Sequence, residues 1–168
     1  MNALEAVVQA RELLADVTPL RADCGRACGG ACCQSDEDGQ GGMLLFPGEK
    51  ALYDPLPPGF RLRRDDAVLP GMWLLTCDGV CDRALRPLSC RIFPLTPVLI
   101  TRDGEERLRV RVDPRAYAVC PLSEQGIRGM REDFGKAVLE GARILCGCPE
   151  HREYLRALSR YFERLREW

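Results

Sequence analysis

Ten cysteines stand against a single histidine in this chain, and eight of them are gathered in a readable order. The first block is Cys24, Cys28, Cys32 and Cys33, spaced by glycine-rich triplets. The second is Cys77, Cys81 and Cys90, followed at a distance by Cys120-Pro121. Thiols this dense without imidazoles point to soft-metal chemistry, because thiolate sulfur selects zinc, iron–sulfur clusters or Cu(I) over hard cations. They also restrict the fold. Glycine-spaced cysteine loops have little apolar surface to bury, so something other than a conventional core must organise them.

At 168 residues the chain suits one domain over 1–168. Within it we read a cysteine-cluster core over 20–122 and a helical extension over 123–168. Charge is nearly balanced, 24 basic against 25 acidic residues, which gives no global signature for a polyanion and argues against a nucleic-acid module. The first twenty residues are interrupted by Glu5, Gln9, Arg11 and Glu12, so no secretory h-region is expected. No apolar run approaches the roughly 20 residues of a membrane span. A cytoplasmic location follows as an expectation, and there thiols stay reduced. That favours metal over disulfides, and the adjacent Cys32-Cys33 pair, whose side chains diverge, argues the same way.

The expected architecture is α+β: a small cysteine-rich metal-binding core with a β-hairpin, flanked by an N-terminal helix and a C-terminal helical pair. Leu4, Val7, Val8 and Leu14 predict a helix over 3–15, which Thr18-Pro19 ends. Residues 35–42 form an acidic, glycine-rich stretch without the spacing of a calcium loop, read as a solvated loop. Residues 43–46 predict a short buried strand, and Pro47 opens a brief helix to Tyr53. Residues 72–76 predict another strand, and Asp78-Gly79 a turn that makes Cys77 and Cys81 a hairpin-like knuckle. Residues 97–101 and 106–113 form the clearest hairpin, turning at Asp103-Gly104. Arg107, Arg109 and Arg111 alternate there with Leu108, Val110 and Val112, giving a wet face and a buried one. Ile127, Met130, Phe134, Val138 and Leu145 have helical spacing; after Cys146-Gly-Cys148, Pro149 opens an amphipathic last helix. That helix is a candidate surface for a protein partner.

Cysteine pairs two to four residues apart build tetrathiolate sites, because a short turn brings two sulfurs onto one ion. Cys24/Cys28 and Cys77/Cys81 meet that spacing. With Cys32, Cys33, Cys90 and Cys120 they allow one or two four-sulfur sites for zinc or an iron–sulfur cluster. A zinc ion with four thiolates carries about −2, which a half-buried site must offset. Arg86 and Arg91 flank Cys90, and Arg26 lies inside the first block. At least one of them is expected to hydrogen-bond to sulfur or to neutralise the site from the shell around the ligands.

The stretch from Cys77 to Pro94, with Cys81, Arg86-Pro87 and Cys90-Arg91-Ile92-Phe93-Pro94, resembles the YkgJ-type zinc- or iron-chelating proteins of bacteria, named for a CxxCxxCC cluster. The resemblance covers about residues 20–122. It implies that Cys24, Cys28, Cys32, Cys33, Cys77, Cys81, Cys90 and Cys120 are the metal ligands. The first block departs from the family spacing, with three residues between cysteines instead of two. The flagellin lysine methylase shares this cysteine domain, and the resemblance implies an iron–sulfur option through it. Methylase activity is not implied, because no methyl-donor motif is visible. Cys146 and Cys148 lie outside the pattern, and three roles stay open for them: extra ligands, redox thiols or neither.

Two functions compete. The first is a metal-binding protein with a cysteine-ligated zinc or iron–sulfur centre; the second is an enzyme, or an enzyme's accessory subunit, that uses such a centre. Acid–base equipment for the second is thin. His151 is the single histidine, expected at the surface or capping a helix, and no H-E-x-x-H pattern exists.

Overall fold

A computed structural model describes residues 1–24, 28–33 and 41–166. Arg26 and most of the acidic 35–42 stretch lie outside the described residues. The chain is mixed α+β, with a helix at the N-terminal end and two at the C-terminal end around small antiparallel sheets.

Helix α1 spans Ala3–Leu13 and begins on a capping box. The Asn2 side chain accepts from the Glu5 amide, and the Glu5 carboxylate accepts from the Asn2 amide, both at 2.9 Å. Its buried face is made of small residues, Ala6, Val7 and Ala10, which permits close packing. A Cβ on Gly141 would sit 3.4 Å from the Ala10 Cβ, so α1 packs closely on the helix that carries Gly141.

Three strands form the first sheet: β1 (Met43–Leu44), β2 (Phe60–Asp65) and β3 (Met72–Cys77), in the order β1-β3-β2. Hydrophobic periodicity does not reveal β2, because Arg61, Arg63 and Arg64 dominate it. Its register is nevertheless fixed, Phe60 opposite Cys77 and Asp65 opposite Met72. Arg64 stacks on the Trp73 ring at 4.0 Å, so an arginine serves as a packing residue. No strand returns along β3 between Cys77 and the turn Arg83–Leu85, so Cys77 and Cys81 flank a turn at Gly79 (φ +86°) and not a hairpin.

Helix α2 (Leu88–Ile92) carries Cys90. Strands β4 (Leu95–Arg102) and β5 (Glu105–Val112) form the expected hairpin. Asp103 and Gly104 both have positive φ, 54° and 78°, as a two-residue type I′ turn demands. Helix α3 (Glu132–Cys146) and helix α4 (Pro149–Arg166) complete the chain. Of the apolar series expected to be helical, Ile127 and Met130 precede α3.

One apolar core joins Val7 and Ala10 of α1, Leu88 and Ile92 of α2, Leu95 and Val98 of β4, Phe134 and Val138 of α3, and Leu155, Leu158 and Phe162 of α4. The apolar stripe of α4 is therefore spent on the molecule's own interior. A second, smaller cluster of Leu45, Tyr53, Phe60 and Leu75 has Cys77 and Cys81 packed against it. His151 departs from expectation: it is fully buried, packed near Phe46 and Tyr154, with Nε2 2.9 Å from the Ala3 carbonyl. As the third residue of α4, it lies on the face that meets α1, not on the solvent side.

Candidate metal centre

A buried carboxylate and three arginines hold the loops that carry the second cysteine block. Glu49 is completely buried. Its oxygens accept from the Leu88 amide at 2.7 Å, the Phe46 amide at 3.0 Å and Arg11 Nη1 at 3.1 Å. Pro87 precedes α2 and offers no side-chain cap, so Glu49 caps that helix from across the fold. Burial pushes the Glu49 carboxyl up, and the Leu88 amide, Arg11 and the Phe46 amide oppose that. Three donors and no acceptor face it, so its hydrogen bonds are those of a carboxylate. Arg83 donates to the carbonyls of Ala15, Leu14 and Val17, fastening the chain after Cys81 to the end of α1.

Arg91 belongs to the same clamp. Its guanidinium donates to the carbonyls of Arg86, Arg11, Arg83 and Ala84 at 2.9–3.3 Å, and no sulfur is among these partners. Arg86 differs. It lies beside the Cys81 thiol, where it works against the rise that burial imposes on that group, and it pairs with Asp23 at 3.7 Å. Its Nε is buried with no hydrogen-bond partner among the described residues.

All eight cysteines of the pattern line a single cavity of about 150 Å³, and Arg86 lines it with them. Cys24 and Cys28 come from the segment after α1, Cys32 and Cys33 from the turn Ala31–Cys33, and Cys77 from the end of β3. Cys81 follows that strand, Cys90 sits in α2, and Cys120 precedes the turn Pro121–Gln125. The remaining wall is largely apolar, including Met43, Phe60, Leu75 and Phe93. Cys146 and Cys148 are elsewhere: Cys148 is buried in the main core with its sulfur 2.8 Å from Glu150 Oε2, and Cys146 packs against that core. All ten thiols are unbridged.

The thiols feel one another. Burial pushes Cys24 up, and Asp23, Cys28 and Cys120 add to it against Arg86. Burial pushes Cys90 well up, with Cys33, Cys81 and Cys77 adding. Within the adjacent pair the two thiols act on each other: Cys32 is pushed up and Cys33 down, with Arg86 assisting at Cys33. As the side chains stand, no three His, Cys, Asp or Glu groups among the described residues are close enough to hold one ion. The cavity has room for on the order of five waters. The sulfurs thus surround a space larger than one bare ion.

The eight cysteines and Arg86, singled out in the sequence by spacing and local context, all line this cavity, whereas Arg91, singled out with them, does not. Sequence reasoning missed Glu49, Arg11 and Arg83, most of whose partners lie 38 to 73 residues away and leave no local signature. Among the described residues, no helix is long and apolar enough to cross a membrane. No family model, curated protein or solved structure matches the chain.

Proposed function

We propose that this is a metal-binding protein whose cavity holds a cysteine-ligated zinc or iron–sulfur centre. The observation that carries the reading is the convergence of eight separated thiols on one cavity beside Arg86, a half-buried cation whose buried Nε lacks an acceptor. Clustered thiolates repel one another, and burial raises the cost of charging them. A soft cation removes that cost, and tetrahedral sulfur sets suit zinc and iron–sulfur clusters alike. Arg86 then offsets the excess negative charge and hydrogen-bonds to ligand sulfur. A cavity wider than one ion supports a polynuclear cluster or two ions. Two groupings of neighbouring thiols fit that: Cys24, Cys28 and Cys120 with Cys32, and Cys77, Cys81 and Cys90 with Cys33. Bound there, zinc supplies a cross-link between chain segments, and an iron–sulfur cluster adds electron-transfer chemistry.

The test is anaerobic purification from metal-replete cells, with metal and acid-labile sulfide analysis and a visible spectrum. A brown protein with equal iron and sulfide selects the cluster, and a colourless one with stoichiometric zinc selects zinc. Metal-free protein with all ten thiols titratable and its fold intact overturns the proposal.

A further inference from the structure

The β4–β5 sheet has only two strands among the described residues, so β5 keeps an outer edge. Register shows what that edge offers. Leu99, opposite Leu108, sends its amide 2.9 Å to the Ser159 hydroxyl of α4, away from β5. The Leu99–Leu108 pair is therefore of the non-hydrogen-bonded kind. Two residues along, Val110 faces Pro97, which has no amide to give, so the alternation is consistent. In such pairs the amide and carbonyl of each residue point outward. Leu108 and Val110 thus turn their backbone polar groups to the free edge, where the Leu108 carbonyl accepts from Arg109 Nη1 at 3.0 Å.

An open groove of about 560 Å³ follows this edge. Its wall includes Leu108, Arg109 and Val110, three consecutive residues. Side chains alternate between the faces of a strand, so a groove touching all three runs along the backbone. Ile127, 42 % exposed, supplies apolar surface on the opposite wall. Four cations line the groove, Arg109, Arg128, Arg131 and Lys136, against one carboxylate, Glu132. Lys136 is paired with Glu132 and Arg131 with Asp133; Arg109 and Arg128 have no carboxylate partner among the described residues. Arg111 and Arg107, the latter paired with Glu105 at 3.1 Å, continue the row along β5.

We propose that the outer edge of β5 is a docking site for an extended acidic segment of a partner protein, which adds to the hairpin as a third strand. Main-chain bonds to Leu108 and Val110 supply the pairing, as in strand addition generally. The pleat then dictates the partner's pattern. Acidic residues fall on the face of Arg107, Arg109 and Arg111, and apolar residues alternate with them on the face of Leu108 and Val110, against Ile127. A second copy of this chain is the wrong occupant, because pairing β5 with itself lays two arginine rows side by side.

The probe is a fluorescein-labelled peptide of alternating glutamate and valine, eight residues long, titrated against the full chain as purified. Saturable binding is expected, with amide shifts in the NMR spectrum confined to residues 105–112 and 127–139. The double variant Arg109→Glu, Arg128→Glu is expected to weaken binding by about ten-fold or more. Both side chains are exposed, and an unchanged urea midpoint shows that the variant folds. Methylating alternate peptide amides on the pairing edge is expected to abolish binding. The proposal is overturned if the methylated peptide binds as well as its parent, if the peptide does not bind, or if lysine replaces glutamate without loss. Tighter binding of single-stranded RNA or anionic vesicles to the same residues, or self-association that Arg109→Glu abolishes, also overturns it.

Discussion

A carboxylate with three donors and no route to water is the most exacting residue in the fold. Glu49 holds the start of α2, the end of β1's loop and Arg11 together, so truncating it strands all three. Glu49→Ala is expected to cost about 3–5 kcal/mol, read as a lower urea midpoint. None of this was legible in the sequence, where Glu49 is one acid among 25. The cysteines that line the cavity were legible, because a turn that brings two sulfurs together is a local device. His151 misleads for the opposite reason: a histidine three residues into a helix reads as exposed until α1 is packed on it. Burial lowers its pKa below the ordinary 6.5. The unfolded chain then takes up the proton first as pH falls. Its stabilising contribution is present above about 6.5 and is lost as pH drops below that value. His151→Leu is expected to flatten the fall in urea midpoint between about pH 7 and pH 5 relative to the parent chain. At the cavity, Arg86→Met keeps the apolar stem and removes the cation. If the cavity holds metal as proposed, its transfer to a competing chelator is expected to become about ten-fold easier, with little change in the thermal midpoint of the metal-loaded protein.

Among the elements, the hairpin was readable in full, because Asp103-Gly104 and the alternation of β5 are both short-range signals. Strand β2 was not, since its pairing with β3 overrides a sequence rich in arginine, and a long stem lying on Trp73 substitutes for an aliphatic residue. Helix α2 was hidden by its context: five residues are too few for periodicity, and its cap comes from Glu49. Gly48 shows how closely such elements depend on each other. Its φ is +79°, and a Cβ there would lie 2.7 Å from the Leu4 backbone nitrogen in α1. Gly48→Ala is expected to lower stability by about 2 kcal/mol, through the left-handed backbone and the collision together. The same substitution at Gly104, where a Cβ meets nothing within 4 Å, is expected to cost only the backbone term. Comparing the two urea midpoints separates the contributions.

For the whole molecule, two organising centres sit side by side. The apolar core draws on both ends of the chain, whereas the cysteine cavity draws on the stretch between them. If metal holds the second, removing it loosens the loops without dissolving the first. Chelation is expected to expose the eight cavity thiols to alkylation while amides of α1, α3, α4 and β4 keep their exchange protection. Uniform loss of protection would show instead that the two centres melt as one. The division between them was visible in the sequence as a change from cysteine and glycine to helical periodicity, but their sharing of α2 and β3 was not. The wide recruitment of sulfur also has a consequence for biogenesis. On the ribosome, the first block emerges long before Cys120. If one metal centre spans both, it can be completed only late in synthesis or after release, and the early thiols would then need reducing conditions and a donor that acts on a nearly finished chain.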